Sequence, residues 1–149
     1  MNISHILVPT DFSPFSDLAI KSATSLASTF QAKVTILHVL TLAEVNILTS
    51  QPGNPWENVV LQIQNDMLKE AKENLAPSFP VEKIALEVVA GEPVEEIVRF
   101  AEENQVDLIV MGTHGRTGLA SVFLGSVTIG VIKKTCIPVM VVKRGEALQ

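Results

Sequence analysis

The stretch VDLIVMGTHGRTG, residues 106–118, decides how this chain folds. Its first six residues are mainly apolar and rich in branched side chains, which is typical of a buried β-strand. The glycine-rich part leads towards Ser126, where a helix is predicted to begin and to run to Lys134. A strand, a glycine-rich loop and a helix N-terminus in this order favour anion binding. Glycine permits positive φ and close backbone approach, consecutive N–H groups form a concave nest, and the helix N-terminus carries partial positive charge.

Three glycines in this region have a regular spacing. Two residues separate Gly112 from Gly115, nine separate Gly115 from Gly125, and Ser126 follows directly. This G-x2-G-x9-G-[ST] pattern resembles the signature of the ATP-binding branch of the universal stress protein family. Residues 8–11 (VPTD) and 138–142 (PVMVV) also resemble the first and last strands of that family. The resemblance therefore extends over essentially the whole chain and implies one domain, residues 1–149.

The resemblance implies that the chain binds ATP, with Mg2+ accompanying the nucleotide. Base and ribose are expected near the end of the first strand and the end of the second, and the phosphates near the glycine-rich loop and the last helix. At Val39, the family resemblance implies that backbone groups hold the adenine edge. The implied nucleotide-binding residues are Pro9, Thr10, Asp11, Val39, Met111, Gly112, His114, Gly115, Arg116, Gly125, Ser126, Val127 and Thr128.

Several of these residues have a second interpretation from the sequence alone. Asp11 could cap the following helix or order its own turn, instead of contacting ribose or a metal. Arg116 could hold a phosphate or project into solvent, and His114 could donate to phosphate or fix the loop. The hydroxyls of Ser126 and Thr128 could cap the helix, bind phosphate, or do both. The glycines could also serve tight-turn geometry without any ligand.

Three alternative functions remain open at this stage. A slow ATPase needs groups that orient water and stabilise charge, and only Asp11, His114 and Arg116 qualify. A dimeric scaffold that binds no nucleotide is known in family members that lack the glycine spacing. A flavodoxin-like electron carrier shares the architecture but needs stacking aromatics, whereas this chain has no tyrosine and one tryptophan, Trp56. We interpret the chain as a binding protein and predict no catalytic residue.

Strand and helix patterns alternate along the chain as βαβαβαβαβ. Strands are predicted over residues 3–8, 33–39, 84–89, 106–111 and 137–142, and the third reads as an edge strand because it mixes charges with apolar residues. The first helix is predicted to begin at Pro14 with Ser13 as its N-cap. This alternation predicts a three-layer α/β/α sandwich with an open five-stranded parallel sheet, a Rossmann-like nucleotide-binding fold. The segment between Leu40 and Asn58 is interpreted as either a lid or a surface connection.

Composition narrows the class of protein further. The chain has 149 residues, 47% hydrophobic residues and a net charge of −5, which suits one folded domain and argues against binding nucleic acid or anionic membranes. We expect no secretory signal and no membrane span, a cytoplasmic location, and no metal site built from Cys and His. The strand that begins at Ile137 and ends at Val142 would leave an open apolar edge. Together with the resemblance, this edge predicts a homodimer through that strand.

Overall fold

The computed structural model describes residues 1–75, 78–113 and 124–143. Its strands are β1 (His5–Thr10), β2 (Lys33–Leu40), β3 (Ile84–Ala90), β4 (Leu108–Gly112) and β5 (Val139–Val142). Its helices are α1 (Pro14–Phe30), α2 (Leu42–Thr49), α3 (Trp56–Asn74), α4 (Pro93–Glu103) and α5 (Ser126–Lys134), and a 3-10 turn (Val81–Lys83) precedes β3.

The strands form one open parallel sheet in the order β3-β2-β1-β4-β5. β1 lies at the centre, where Ile6 pairs with Val34 of β2 and with Leu108 of β4. β3 forms one edge, and β5 forms the other. The predicted α/β class, the parallel five-stranded sheet and the edge position of the third strand are confirmed.

Helices cover both faces of the sheet because successive strand residues point to opposite faces. Ile6 and Val8 of β1 belong to a core beneath α1 and α3, to which Ala23 of α1 and Met67 of α3 contribute. Leu7, between them, belongs to a second core beneath α4 and α5. Fully buried residues on both faces of β1 explain why this strand reads as a continuous apolar run.

α2 is the one α-helix of the described chain that the sequence did not predict. Its apolar residues do not gather on one face, and no residue of the helix is buried, so the usual helical periodicity is missing. Thr41 and Glu44 begin the helix with a reciprocal capping box, in which Thr41 Oγ1 accepts from Glu44 N–H and Glu44 Oε2 accepts from Thr41 N–H. End capping therefore defines this helix better than burial does.

His5 is a buried polar residue at the start of the central strand β1. Its Nδ1 lies 3.1 Å from the carbonyl oxygen of Asn104, and its Nε2 lies 2.8 Å from Oγ1 of Thr35. A carbonyl oxygen only accepts, so Nδ1 carries the hydrogen and the neutral ring accepts from Thr35 at Nε2. Burial lowers the pKa of His5, which favours this neutral form.

Candidate functional site

A cleft of about 300 Å³ opens where the order of the sheet reverses. The chain places β2 and β3 on one side of β1, and β4 and β5 on the other, so the connections after β1 and β4 diverge. Ligands of open parallel sheets bind at this kind of crevice, beyond the carboxyl ends of the strands. The lining comprises Pro9, Thr10, Asp11, Ser16, Leu37, Val39, Thr41, Glu44, Pro93, Ile97, Met111, Gly112, Gly125, Ser126, Val127 and Thr128.

The cleft brings together all the predicted nucleotide-binding residues that the structure describes. Pro9, Thr10, Asp11, Val39, Met111, Gly112, Gly125, Ser126, Val127 and Thr128 all line it. The remaining three, His114, Gly115 and Arg116, lie outside the described residues. Residues from four segments, distant in sequence, therefore meet at one place.

Six lining residues were not predicted. Leu37 and Ile97 read as ordinary core residues, and their apolar patterns carry no sign of a cleft. Thr41 and Glu44 had a usable signal, because Thr-x-x-Glu is the sequence form of a capping box. The capping box places both side chains at the end of β2, next to Val39, and this brings a second carboxylate into the cleft.

The β1–α1 loop is ordered by its own side chains. Asp11 Oδ1 accepts from the backbone N–H of Ser13 at 3.0 Å and from Oγ of Ser16 at 2.6 Å. Ser13 caps α1 as predicted, since its Oγ accepts from the backbone N–H of Ser16. The structural interpretation of Asp11, that it orders its own turn, is confirmed, and the same residue also faces the cleft.

Phe12 adopts an unusual backbone conformation in this loop, with φ at +63°. Left-handed backbone is unfavourable for a bulky residue, so neighbouring contacts must maintain it. The N–H of Phe12 donates to Oγ1 of Thr10 at 3.1 Å. Its ring lies 4.4 Å from the ring of His38, whose Nδ1 lies 2.8 Å from the carbonyl oxygen of Thr10. These contacts hold the loop between Thr10 and Ser13 in one shape.

Two hydrogen bonds attach the N-terminus of α5 to the end of β4. The N–H of Gly125 donates to the carbonyl oxygen of Thr113 at 2.6 Å, and Oγ1 of Thr128 donates to the carbonyl oxygen of Gly112 at 3.0 Å. Gly125 is therefore the N-cap, and Ser126 is the first helical residue, not the cap. The hydroxyl hydrogen of Thr128 serves the protein, so Thr128 would serve a phosphate through its backbone N–H.

The first turn of α5 differs from that of the helices that side chains cap. Ser13, Thr41 and Glu92 cap α1, α2 and α4, and each of these helices also has an acidic residue in its first turn. α5 has neither a side-chain cap nor an acidic residue there. The first N–H groups of a helix have no partner within the helix and carry partial positive charge. This end of α5 faces the cleft.

The two described glycines of the motif, Gly112 and Gly125, do not adopt positive φ, whereas Gly115 lies outside the described residues. Among the described residues, the glycines with positive φ are Gly53 and Gly91. Gly125 has φ at −64°. Gly112 is required for packing instead, because a Cβ at this position would lie 2.7 Å from the carbonyl oxygen of Phe15. The first turn of α1 can approach the end of β4 only over a residue without a side chain.

The charges around the cleft limit its ligands. Its described lining contains two carboxylates, Asp11 and Glu44, and no Lys, Arg or His side chain. Among residues 1–75, 78–113 and 124–143, no group of three or more His, Cys, Asp or Glu side chains is placed to hold a metal ion. Among the described lining residues, a phosphate would therefore meet backbone N–H groups and hydroxyls and no cationic side chain.

The family comparison covers nearly the whole chain. The model of the universal stress protein family matches residues 2–143. The chain is 38% identical to universal stress protein MJ0577 of Methanocaldococcus jannaschii, covering 93% of this chain and 94% of that protein. A solved structure of MJ0577 gives a TM-score of 0.68 at 35% identity, covering 99% of this chain and 100% of the other.

Two of the similar solved structures contain an adenine nucleotide. A universal stress protein in complex with cAMP is 25% identical, with a TM-score of 0.68, and the match covers 96% of this chain and 98% of the other. The universal stress protein of Archaeoglobus fulgidus in complex with dAMP is 25% identical, with a TM-score of 0.54, and the match covers 95% of this chain and 98% of the other.

No helix in the described ranges is both long and apolar enough to cross a membrane.

Proposed function

The chain belongs to the universal stress protein family, and we propose that its cleft binds ATP with Mg2+, so that the protein acts as a nucleotide-dependent stress-response or signalling module. One observation carries the proposal: the N-terminus of α5, which no side chain caps and which has no acidic residue in its first turn, faces a cleft lined by the residues predicted to bind a nucleotide. The cAMP and dAMP complexes of two relatives support an adenine nucleotide as the class of ligand.

The walls of the cleft suit a base. Leu37, Ile97 and Met111 provide apolar surface, and Val39 ends the β2 wall. The cleft volume of about 300 Å³ lies at the lower end of the range for small-molecule sites. We place adenine against these residues, with the backbone of Val39 at its edge. Pro9, Thr10 and Asp11 then lie beside the ribose, whose hydroxyls donate to a carboxylate.

The phosphates are assigned to the N-terminus of α5. The N–H groups of Ser126, Val127 and Thr128 begin the helix, where a negative charge is stabilised by the helix dipole. Asp11 and Glu44 are repelled by a phosphate chain, so the phosphates would lie away from both. Mg2+ bound to the phosphate oxygens would reduce this repulsion, and no protein cage is needed to hold the ion.

The proposal is tested at Ser126 by two substitutions that separate the backbone from the side chain. Ser126→Pro removes the backbone N–H at the first helical position, where proline fits a helix without breaking it. Ser126→Ala keeps the N–H and removes only the hydroxyl. We expect Ser126→Pro to weaken Mg-ATP binding by about tenfold or more, since it removes a hydrogen bond to a charged group. Ser126→Ala should retain most of the affinity.

Isothermal titration of nucleotide-free protein measures both variants, and circular dichroism checks that each is folded. Equal affinity of folded Ser126→Pro and wild type for Mg-ATP would remove α5 from the site. The measurement also separates binding from catalysis, because ADP formed during the titration can be quantified directly. We do not propose hydrolysis: Asp11 orders its own turn through Oδ1, and the other two candidate groups, His114 and Arg116, lie outside the described residues.

A further inference from the structure

A second cavity, of about 140 Å³, lies on the opposite face of the sheet between α1 and α3. We call it the α1–α3 cavity. Thr10 lines both this cavity and the cleft, whereas Asp11 lines the cleft and Phe12 lines the cavity. The ordered loop after β1 therefore separates two spaces. The complete lining is Thr10, Phe12, Asp17, Ile20, Lys21, Ile36, Met67, Glu70, Ala71, Asn74 and Leu75.

The interior of the α1–α3 cavity is apolar. Ile36 and Met67 are 4% exposed, Ala71 is 5% exposed and Leu75 is 4% exposed, so these four residues make its buried walls. An apolar cavity of about 150 Å³ in another protein accommodates benzene, which sets the scale of the group that fits. A ring or branched chain of about six carbons matches the space. The cavity is too small for a nucleotide.

The entrance of the cavity carries carboxylates without strong partners. Asp17 of α1 and Glu70 of α3 both line it and are more exposed than its walls. Neither side chain makes a hydrogen bond or an ion pair within the described residues. Partial burial raises the pKa of Asp17, and it raises the pKa of Glu70 together with the charge of Asp17. The charge of Asp17 thus acts unfavourably on the ionised form of Glu70.

Other charged groups near the entrance do not cancel this negative potential. Lys21 also lines the cavity, and its charge lowers the pKa of Asp17 against the effect of burial. Asp11, in the loop, acts on Asp17 in the opposite direction, and Glu73 acts likewise on Glu70. Lys21 itself is exposed to solvent. The formal charge of the side chains that line the cavity is negative, so it disfavours anions.

We propose that the α1–α3 cavity is a second ligand site, which binds a small organic cation: an ammonium group attached to a ring or branched chain of about six carbons. The apolar part fills the space between Ile36, Met67 and Ala71. The ammonium group lies at the entrance and donates to the carboxylates of Asp17 and Glu70. This assignment does not depend on nucleotide binding in the cleft.

The test uses benzylamine as the probe. Two molecules of similar shape serve as comparisons: benzyl alcohol, which is uncharged, and benzoate, which is negatively charged. Benzylamine, benzyl alcohol and benzoate are titrated separately into the wild-type protein near neutral pH, and backbone amide shifts are followed by NMR. We expect benzylamine to bind with one site per chain, to shift residues around Met67 and Ala71, and to bind at least about tenfold more tightly than benzyl alcohol. Benzoate should not bind.

A charge-removing variant supplies the second arm. Asp17→Asn with Glu70→Gln keeps the size of both side chains and should weaken benzylamine binding by about tenfold or more. Asp66→Asn, on the same helix but outside the cavity lining, is the matched control and should leave the affinity unchanged. The proposal is overturned if benzylamine does not saturate the protein, if benzyl alcohol binds equally well, or if the folded double variant keeps wild-type affinity. The comparison of probes on wild-type protein remains decisive even if the variant does not fold.

Discussion

At the scale of single residues, Gly112 shows how packing and function meet at one position. It ends β4, lines the cleft, and lies directly beneath the carbonyl group of Phe15. Its carbonyl oxygen also accepts from Thr128, which fixes the first turn of α5. One residue without a side chain therefore allows α1 and α5 to approach the same strand end. Gly112 is therefore required for the packing of the cleft walls, independently of any ligand.

We predict that Gly112→Ala destabilises the protein by about 1–3 kcal/mol, the usual cost of overpacking. The added Cβ would lie 2.7 Å from the oxygen and 2.9 Å from the carbon of the Phe15 carbonyl group. These are backbone atoms, so Phe15→Ala should not relieve the contact. Urea unfolding of the single and double variants measures this. A stability equal to wild type would contradict the packing role.

Gly130 provides a matched control, because its contact is with a side chain. A Cβ there would lie 2.6 Å from Cγ2 of Val94, across the α4–α5 interface. Val94→Ala removes that atom. In the Val94→Ala background, we expect Gly130→Ala to be neutral or stabilising by up to about 1 kcal/mol, the helix propensity of alanine over glycine. Persistent destabilisation in this background would contradict the assignment of the contact to Val94.

His5 predicts a specific dependence of stability on pH. Its pKa is lowered in the folded protein from an ordinary value near 6.5, chiefly by burial. Below the ordinary pKa, the unfolded chain therefore binds more protons at this residue than the folded chain does. The contribution of His5 to stability is fully present above pH ~6.5 and is lost as the pH falls through the folded pKa.

The test compares wild type with His5→Gln by urea unfolding between about pH 5 and pH 8. The difference in unfolding free energy should stay constant at the upper end and should change in favour of the variant as the pH falls. If the difference in unfolding free energy between wild type and His5→Gln stayed constant over the whole pH range, burial of His5 would not be the cause of the pH dependence.

At the scale of elements, the helices differ in whether their ends and their apolar faces are marked in the sequence. Helices with such marks could be predicted, and α2 could not. α5 begins at Ser126 and ends at Lys134, as predicted, because the glycine spacing and the terminal lysines mark both ends. α1 has an N-cap serine, a proline and small apolar residues on one face. α2 has no buried residue and no apolar face, so periodicity could not reveal it. Only the capping-box pattern of Thr41 and Glu44 could have indicated where it begins.

We predict that Thr41→Ala opens α2 locally without lowering global stability. Its hydroxyl accepts from the backbone N–H of Glu44, and loss of an N-cap costs about 0.5–2 kcal/mol. Because α2 buries no residue, this cost should fall on local opening alone. Hydrogen exchange should become faster in α2, while the urea midpoint stays unchanged.

Ser13→Ala is the matched change at a helix that packs on the sheet centre. α1 contributes Ala19, Ala23 and Ala27 to the core, so the same type of substitution should lower the urea midpoint. An equal loss of global stability in both variants would show that α2 is part of the cooperative unit.

At the scale of the whole molecule, more of the architecture than of the cleft lining could be predicted from the sequence. Alternating patterns and handed crossovers leave few arrangements for a five-stranded parallel sheet, and the strand order places β1 in the middle. The glycine spacing and the residues after β1 indicated where a ligand would bind. Glu44, Pro93 and Ile97 were missed because they meet only after the sheet brings distant segments together.

The prediction of a homodimer rests on the exposed edge of the sheet that β5 forms. Each residue from Val139 to Val142 is only half-buried, and Ile129 and Ile132 of α5, the preceding helix in the chain, are exposed. We expect a dimer in sedimentation equilibrium at micromolar concentration. Val141→Lys should shift it towards monomer, because charge on an edge strand opposes pairing. Ala85→Lys, at the exposed edge formed by β3, should leave the dimer intact. A wild-type protein that remains monomeric would contradict the prediction.

We propose that the cleft between β1 and β4 binds an adenine nucleotide. The most direct test is to denature freshly purified protein, identify the released molecules by mass spectrometry, and titrate the stripped protein with Mg-ATP. We predict adenine nucleotide binding that saturates at one per chain. If no nucleotide is released and Mg-ATP does not bind to the stripped, folded protein, the account is contradicted, and the glycine motif serves the packing of α1 and α5 on β4 alone.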